Sequence, residues 1–418
     1  MRIGQRKKSK PESVVGALDI GTSKACCAIM AHDASGQRRL LGFGHQRMQG
    51  IKAGVVIDPN MAERAVRAAV AQAESMAGVT LGSVHVAVTC GRLKSENFVA
   101  RATVRDRTVA RGDMDRVLAG GEAFATRGGR AIVQITNGGW CLDGLPGVRD
   151  PLGLSGNELS LPMHAVTIDE GPLTNLLHVV DRCHLETEGV VVAPFASALA
   201  ATTPEERQAG VLCIDLGGGT TTMAAFADGS FVFADALPVG GGHVTSDIAR
   251  ALSTPLAEAE RIKTLYGTLL PAYSDEQEVI SFPSADENEG AFYQTSKARL
   301  RTIIEPRVEM LWGLVRERLG AAGLVHLSTG RVVLTGGASQ LVGFAEWWTA
   351  KTGGVVRVGR ARPVGGMPES MWNPAFAAVM GLGLSALSPA SGATAWRGRS
   401  APQTGYLGRL HGWLRDSF

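Results

Sequence analysis

The apolar residues fall into short runs, each closed by glycine or by a polar turn. "VVGALDI" (14–20) is a run of strand length that ends in Asp19 and a Gly-Thr-Ser turn. The runs at 25–30 and 40–45 continue it as hairpin partners. From 59 to 77, Ala, Glu and Arg recur at helical spacing, which predicts a helix. "VHVAVT" (84–89) opens a strand-rich stretch with one helix near 111–125. It passes "AIVQI" and a Gly/Pro-rich segment (138–156) to the strand "LSLPMHAVTI" (159–168). Helices are predicted at 172–183 and 195–201, with the strand "GVVVAP" between them.

A break follows at "TTPEERQ" (202–208). Then "VLCIDLGGGTTT" (211–222) repeats the opening: strand, aspartate, glycine-rich turn, strand, with a further strand at 230–237. Helices are predicted at 243–252, 256–266, 297–319 and 343–352, a strand at 332–334, and a last helix ending by 387. The acidic stretch 274–290 reads as a loop or edge strand. Two halves opening with one supersecondary unit are an internal duplication of topology. The expected fold class is therefore α/β with two lobes.

Composition narrows the function. At 418 residues the chain is long enough for two or more domains, and 45% hydrophobic with 19% charged residues is globular. The balance of 42 basic against 39 acidic residues gives no case for a nucleic-acid partner. Cys26, Cys27, Cys90, Cys141, Cys183 and Cys213 form no C-x-x-C pair and mostly lie in apolar runs, as expected of thiols in a reducing compartment. The basic start (Arg6, Lys7, Lys8, Lys10) has no apolar segment behind it, and no apolar run reaches spanning length; a cytoplasmic location is expected.

The two glycine turns carry the chemistry. Backbone without Cβ atoms lets successive N–H groups point inward and hold an anion. Thr220 and Thr221 would add hydroxyl donors, and Asp215 would hold Mg²⁺ directly or through water. Asp19, Gly21, Thr22, Ser23 and the following Lys24 make the matching set. Two such turns facing each other would grip one polyphosphate. A Walker A loop is excluded because Gly16 to Ser23 lacks its lysine, and a dinucleotide fingerprint because Thr222 stands where a glycine is needed. A third feature, "RVVLTGGASQLVGF" (331–344), sets Gly336 and Gly337 where a flat ring can lie. Glu260 and Lys263 share one helix face, where they would reach a ribose or simply pair with each other.

Phosphate turn, phosphate turn and adenosine turn, in that order, resemble the actin-like ATPase superfamily, and within it the FtsA family of bacterial cell-division proteins. The resemblance spans nearly all of 14–418 and rests on "LDIGTSK", "SVHVAVTCGRLKSENFVARATV", "GGGHVTSDIARAL" and "AEAERIKTLYG". It implies a duplicated, ribonuclease H-like fold with a nucleotide cleft: subdomain 1A (12–83 and 165–205), an inserted 1C (84–164), 2A (206–237 and 328–387) and 2B (238–327). It implies ATP with Mg²⁺, with Asp19, Gly21, Thr22 and Ser23 as one phosphate turn and Asp215 and Gly217, Gly218, Gly219, Thr220 and Thr221 as the other. Gly336 and Gly337 would lie near adenine. Partners implied are the tail of FtsZ on 2B, other division proteins on 1C, further copies of the chain in filaments, and lipid. One departure stands out: Ala193 occupies the place where a Glu would orient attacking water, so nucleotide binding with slow turnover is expected.

After a linker (388–404), "GYLGRLHGWLRDSF" (405–418) places Tyr406, Leu407, Leu410, Trp413, Leu414 and Phe418 on one side of a helix, with Arg409 and Arg415 mostly on the other. That pattern predicts a helix lying in a membrane interface, and the resemblance implies the cytoplasmic face at the division site. Two rival readings remain: a pilus-assembly scaffold of the PilM type, which would lack this tail, and a small-molecule kinase, which would need a catalytic carboxylate beyond Asp19 and Asp215.

Overall fold

The computed structural model describes residues 14–33, 35–284, 292–388 and the backbone of 394–395. The first strands, β1 (Val14–Ile20), β2 (Lys24–His32) and β3 (Arg38–Arg47), are successive antiparallel neighbours. Between its end residues β2 is wholly buried, which explains its unbroken apolar run. Helix α1 (Pro59–Ala77) is set by its ends: Asp58 accepts the N–H groups of Asn60 and Met61, and Gly78 closes it in the left-handed conformation. Its buried stripe of Ala62, Val66, Ala69 and Ala73 covers the sheet. β4 (Ser83–Val88) then runs parallel beside β1.

The chain next leaves this sheet to build an insert from β5 (Lys94–Thr103), α2 (Arg111–Ala125), β6 (Arg130–Asn137) and β7 (Glu158–Asp169). β7 lies between β5 and β6, antiparallel to both, and the insert has its own core around Trp140, Leu159 and Leu161. After α3 (Glu170–Arg182), β8 (Glu186–Val192) completes the first sheet in the order β8-β4-β1-β2-β3.

Helices α4 (Ala193–Ala201) and α5 (Pro204–Ala209) lead into the second half. There β9 (Val211–Leu216), β10 (Thr221–Ala227) and β11 (Ser230–Leu237) repeat the opening meander. A smaller unit follows: α6 (Gly241–Leu252), α7 (Leu256–Tyr266), the hairpin β12 (Val279–Pro283) and β13 (Phe292–Ser296), and α8 (Lys297–Ala321). β14 (Arg331–Thr335), α9 (Phe344–Thr352) and β15 (Val355–Val358) finish the second sheet, ordered β11-β10-β9-β14-β15. Position for position this is the first sheet again, with the same parallel and antiparallel senses. The expected duplication of topology is present. The last helix, α10 (Ala377–Ala386), packs back onto α4 and β1 and ties the end of the second half to the first lobe.

Two segments differ from expectation and two fall outside the described residues. "TTPEERQ" is not a break but α5, started by a capping box: the Thr203 hydroxyl accepts from the Glu206 N–H at 3.0 Å and Glu206 accepts from the Thr203 N–H at 2.8 Å. The linker pairs Thr394 and Ala395 with the outer edge of β6. The tail 405–418 and the basic start lie outside the described residues. All six cysteines are free, and burial pushes the Cys27 thiol up to about 12, as an inert core thiol should be. Among the described residues no helix is long and apolar enough to cross a membrane.

Candidate functional site

The β1–β2 and β9–β10 turns meet face to face. A methyl group on Gly218 would sit 2.8 Å from Ser23 Oγ, and one on Gly219 would sit 2.6 Å from Thr22 Oγ1. The bareness of these two glycines is thus required by the opposite turn itself, at a close approach that no other residue permits. The first turn is braced by its own lobe: Gly54 N–H donates to Thr22 Oγ1 at 3.2 Å, and Met48 N–H to the Ser23 carbonyl at 3.0 Å. The second is tied to α6, whose Gly241 and Gly242 N–H groups donate to the Gly217 and Gly218 carbonyls at 2.9 and 2.7 Å.

Beside this junction lies a cleft of about 1000 Å³, within the range of small-molecule sites. Of the expected residues, Thr22, Ser23, Lys24, Gly217, Gly218, Glu260, Lys263 and Gly337 line it. Glu260 and Lys263 meet one of the two expectations for them, the ion pair. They pair at 2.6 Å, and the Lys263 ammonium also donates to Thr245 Oγ1 at 2.8 Å and to the Gly241 carbonyl at 3.2 Å. That network ties α7 to α6 on the cleft wall.

The remaining expected residues sit behind the wall. The Thr221 hydroxyl is buried and donates to the Val239 carbonyl at 2.8 Å, so it is not the free donor expected. The Thr220 carbonyl accepts from the Gly217 N–H at 2.9 Å and shapes the turn. Gly336 has a φ of 82°, and a Cβ there would stand 2.2 Å from Asp215 Oδ1. Its lack of a side chain serves Asp215, while its neighbour Gly337 faces the cleft. Gly21 closes the first turn through its N–H to the Lys24 carbonyl at 3.0 Å.

Asp19 and Asp215 lie beneath the two turns. Burial pushes the Asp19 carboxyl up to about 6, partly offset by Lys24, and Asp215 adds repulsion. Burial likewise raises Asp215, against the opposing pull of a hydrogen bond from the Ser197 hydroxyl and of Lys24. Two desolvated carboxylates repelling each other at a phosphate-sized cleft are a donor set that fits a divalent cation. Among the described residues there is no group of three or more His, Cys, Asp or Glu placed to hold a metal unaided.

Sequence reasoning missed Ser197, which reaches Asp215 from α4. It also missed Arg47, Ser246 and Arg307 on the cleft wall. Arg307 is held by both oxygens of Asp247, at 2.7 and 2.8 Å. A cation over a glycine-rich cleft was the only available signal, and helix-surface arginines are too common for it to stand out.

Comparison with known proteins places this geometry. The family profile described as Cell division protein FtsA matches residues 212–381, and that described as SHS2 domain inserted in FTSA matches 90–167. The chain is 38% identical over 428 residues to Cell division protein FtsA of Rhizobium meliloti (strain 1021), covering 98% of this chain and 96% of the relative. It is 28% identical to that of Escherichia coli (strain K12), covering 98% of this chain and all (100%) of the relative. Among solved structures, a PilM-PilN type IV pilus biogenesis complex aligns with a TM-score of 0.63 at 18% identity, covering 90% of this chain and 99% of the other. MreB5 of Spiroplasma citri bound to ADP aligns with a TM-score of 0.56 at 14% identity, covering 90% and 98%. These likenesses, with the inserted domain, show an actin-like two-lobe fold. The chain belongs to the FtsA family of cell-division proteins.

Proposed function

We propose that the chain binds Mg·ATP between its two glycine turns and, in that state, tethers FtsZ polymers to the cytoplasmic face of the cell membrane at the division site. The observation that carries the nucleotide reading is the junction itself: two matched turns and two buried carboxylates, both under the influence of Lys24, opening on a cleft of about 1000 Å³. MreB5 of Spiroplasma citri, with the same fold, is known bound to ADP and to AMPPNP. Asp19 and Asp215 would hold Mg²⁺ through water, and the cation would neutralise phosphate charge. Turn N–H groups and the Ser23 hydroxyl would orient the phosphates, Glu260 and Lys263 the ribose, and Gly337 the base.

At the start of α4, Ala193 is buried and carries no carboxylate to position water, which supports binding with slow turnover. The 2B unit supports a peptide partner: Tyr273, Phe292 and Tyr293 are exposed on and beside its hairpin. The tail's apolar stripe supports peripheral attachment, each copy binding lipid weakly and many copies on one filament binding firmly. Liposome co-sedimentation of the full chain against a chain ending at Leu387 tests the anchor. Equal pelleting of the two removes it.

A further inference from the structure

We infer that Ser95, Asn97 and His164 of the insert are positioning residues for the second glycine turn, latching the insert onto the lobe that carries it. This rests on the nucleotide reading and extends it to residues far from the cleft.

β11 is the outermost strand of the second sheet, with only β10 as its sheet neighbour. The N–H and C=O groups on its outer side have no ladder partner and need other cover. Side chains from β5 supply it. Asn97 Nδ2 donates to the Val232 carbonyl at 2.9 Å, and Ser95 Oγ accepts from the Ala234 N–H at 3.1 Å. Ser95 also lies 2.6 Å from His164 Nε2. The serine oxygen can accept from Ala234 and pair with His164 Nε2 at the same time, the direction of the second bond following the ring's tautomer. Burial pushes His164 down to about 4, so the ring stays neutral near neutral pH and the pair with Ser95 carries no charge.

Two routes lead from the latch to the turn. Along the sheet, β11 pairs with β10 from Ser230 to Leu237, and β10 starts at Thr221, at the end of the turn. Through the core, the His164 ring meets Phe231 edge-on at 4.9 Å, and Phe231 meets Phe195 of α4 at 4.9 Å. Two residues on, the same helix carries Ser197, whose hydroxyl holds Asp215. The insert thus grips the second turn by its strand and by its carboxylate. Shifting the insert shifts both, and by reciprocity nucleotide must tighten the latch.

The experiment uses the full chain. Mg·ATP affinity is measured by calorimetry for the unmodified protein, the double variant S95A/N97A, and S95T, which keeps the hydroxyl. Hydrogen exchange at the Ala234 amide is followed with and without Mg·ATP. The double variant is expected to bind about three- to tenfold more weakly, S95T within about twofold of the unmodified chain, and nucleotide is expected to slow exchange at Ala234. If the unmodified chain binds Mg·ATP but the double variant binds equally well and Ala234 exchange does not respond, the latch is refuted while the nucleotide reading stands. If the unmodified chain takes up no nucleotide, that reading fails and the latch falls with it. Exchange in the unmodified chain decides the matter even if the double variant misfolds.

Discussion

The two glycine turns are near copies in topology and opposites in support. The second turn is built into its surroundings: its carbonyls receive N–H groups from α6, Thr221 is locked to Val239, and Ser197 holds Asp215. Among the described residues the first is braced along its backbone and by the Gly54 N–H, and Asp19, pushed up to about 6 by burial, draws its main relief from Lys24. The difference teaches that duplicated turns need not share a task equally. One is a fixed wall; the other holds a carboxylate that Lys24 compensates only in part and that a cation would complete.

The largest expected effect separates the two aspartates. Asp19→Asn should weaken Mg·ATP binding by at least about tenfold, yet leave ligand-free stability unchanged or higher, because it removes a charge the fold disfavours. Asp215→Ala should weaken binding comparably and also lower stability by about 1–2 kcal/mol, since it strands the buried Ser197 hydroxyl. Calorimetry with thermal denaturation of both variants checks this; equal stability losses would erase the distinction.

A smaller effect is expected from pH. Asp19 lies at about 6 in the folded chain against an ordinary 3.8, so the folded protein holds its proton more tightly than the unfolded one. Ligand-free stability should therefore fall as pH rises through that window, and cation binding should restore it above. Mg·ATP affinity should drop as pH falls through about 6, with protons released on binding below that point. Affinity that stays flat from pH 5 to 7.5 would contradict the assignment to Asp19.

Both turns were legible because each sets an aspartate and a short turn of small residues between apolar runs of strand length, with one glycine (Gly21) in the first and three (Gly217, Gly218, Gly219) in the second. The capping box of α5 is legible too, as Thr-Pro-x-Glu, in the segment that reads as a break. Ser197 was not legible. It is one small residue in an Ala-rich helix, and its contact with Asp215 exists only once α4 is laid across β9. The Thr221 hydroxyl, spent on Val239, and the tight fit of Gly336 against Asp215 were not legible for a related reason: sequence shows that a hydroxyl or a bare Cα is present, not which way it faces. The tail's periodicity is plain in the sequence and lies outside the described residues.

Smaller still is the effect of Ser197→Ala. It should loosen Asp215 and reduce Mg·ATP affinity by a few-fold, with about 1 kcal/mol of stability lost. A full-affinity Ser197→Ala protein would show that the second turn does not depend on α4. The smallest signal is turnover: with Ala193 buried at the head of α4, steady-state hydrolysis should stay far below that of a committed ATPase. A rate of about 1–10 per second would overturn that expectation.

The most direct measurement is isothermal titration of the full-length protein with ATP in excess magnesium, repeated with magnesium removed. The account predicts a single site, with binding markedly weakened when the cation is absent and in Asp19→Asn. No heat of binding, or binding indifferent to both magnesium and Asp19, would contradict it.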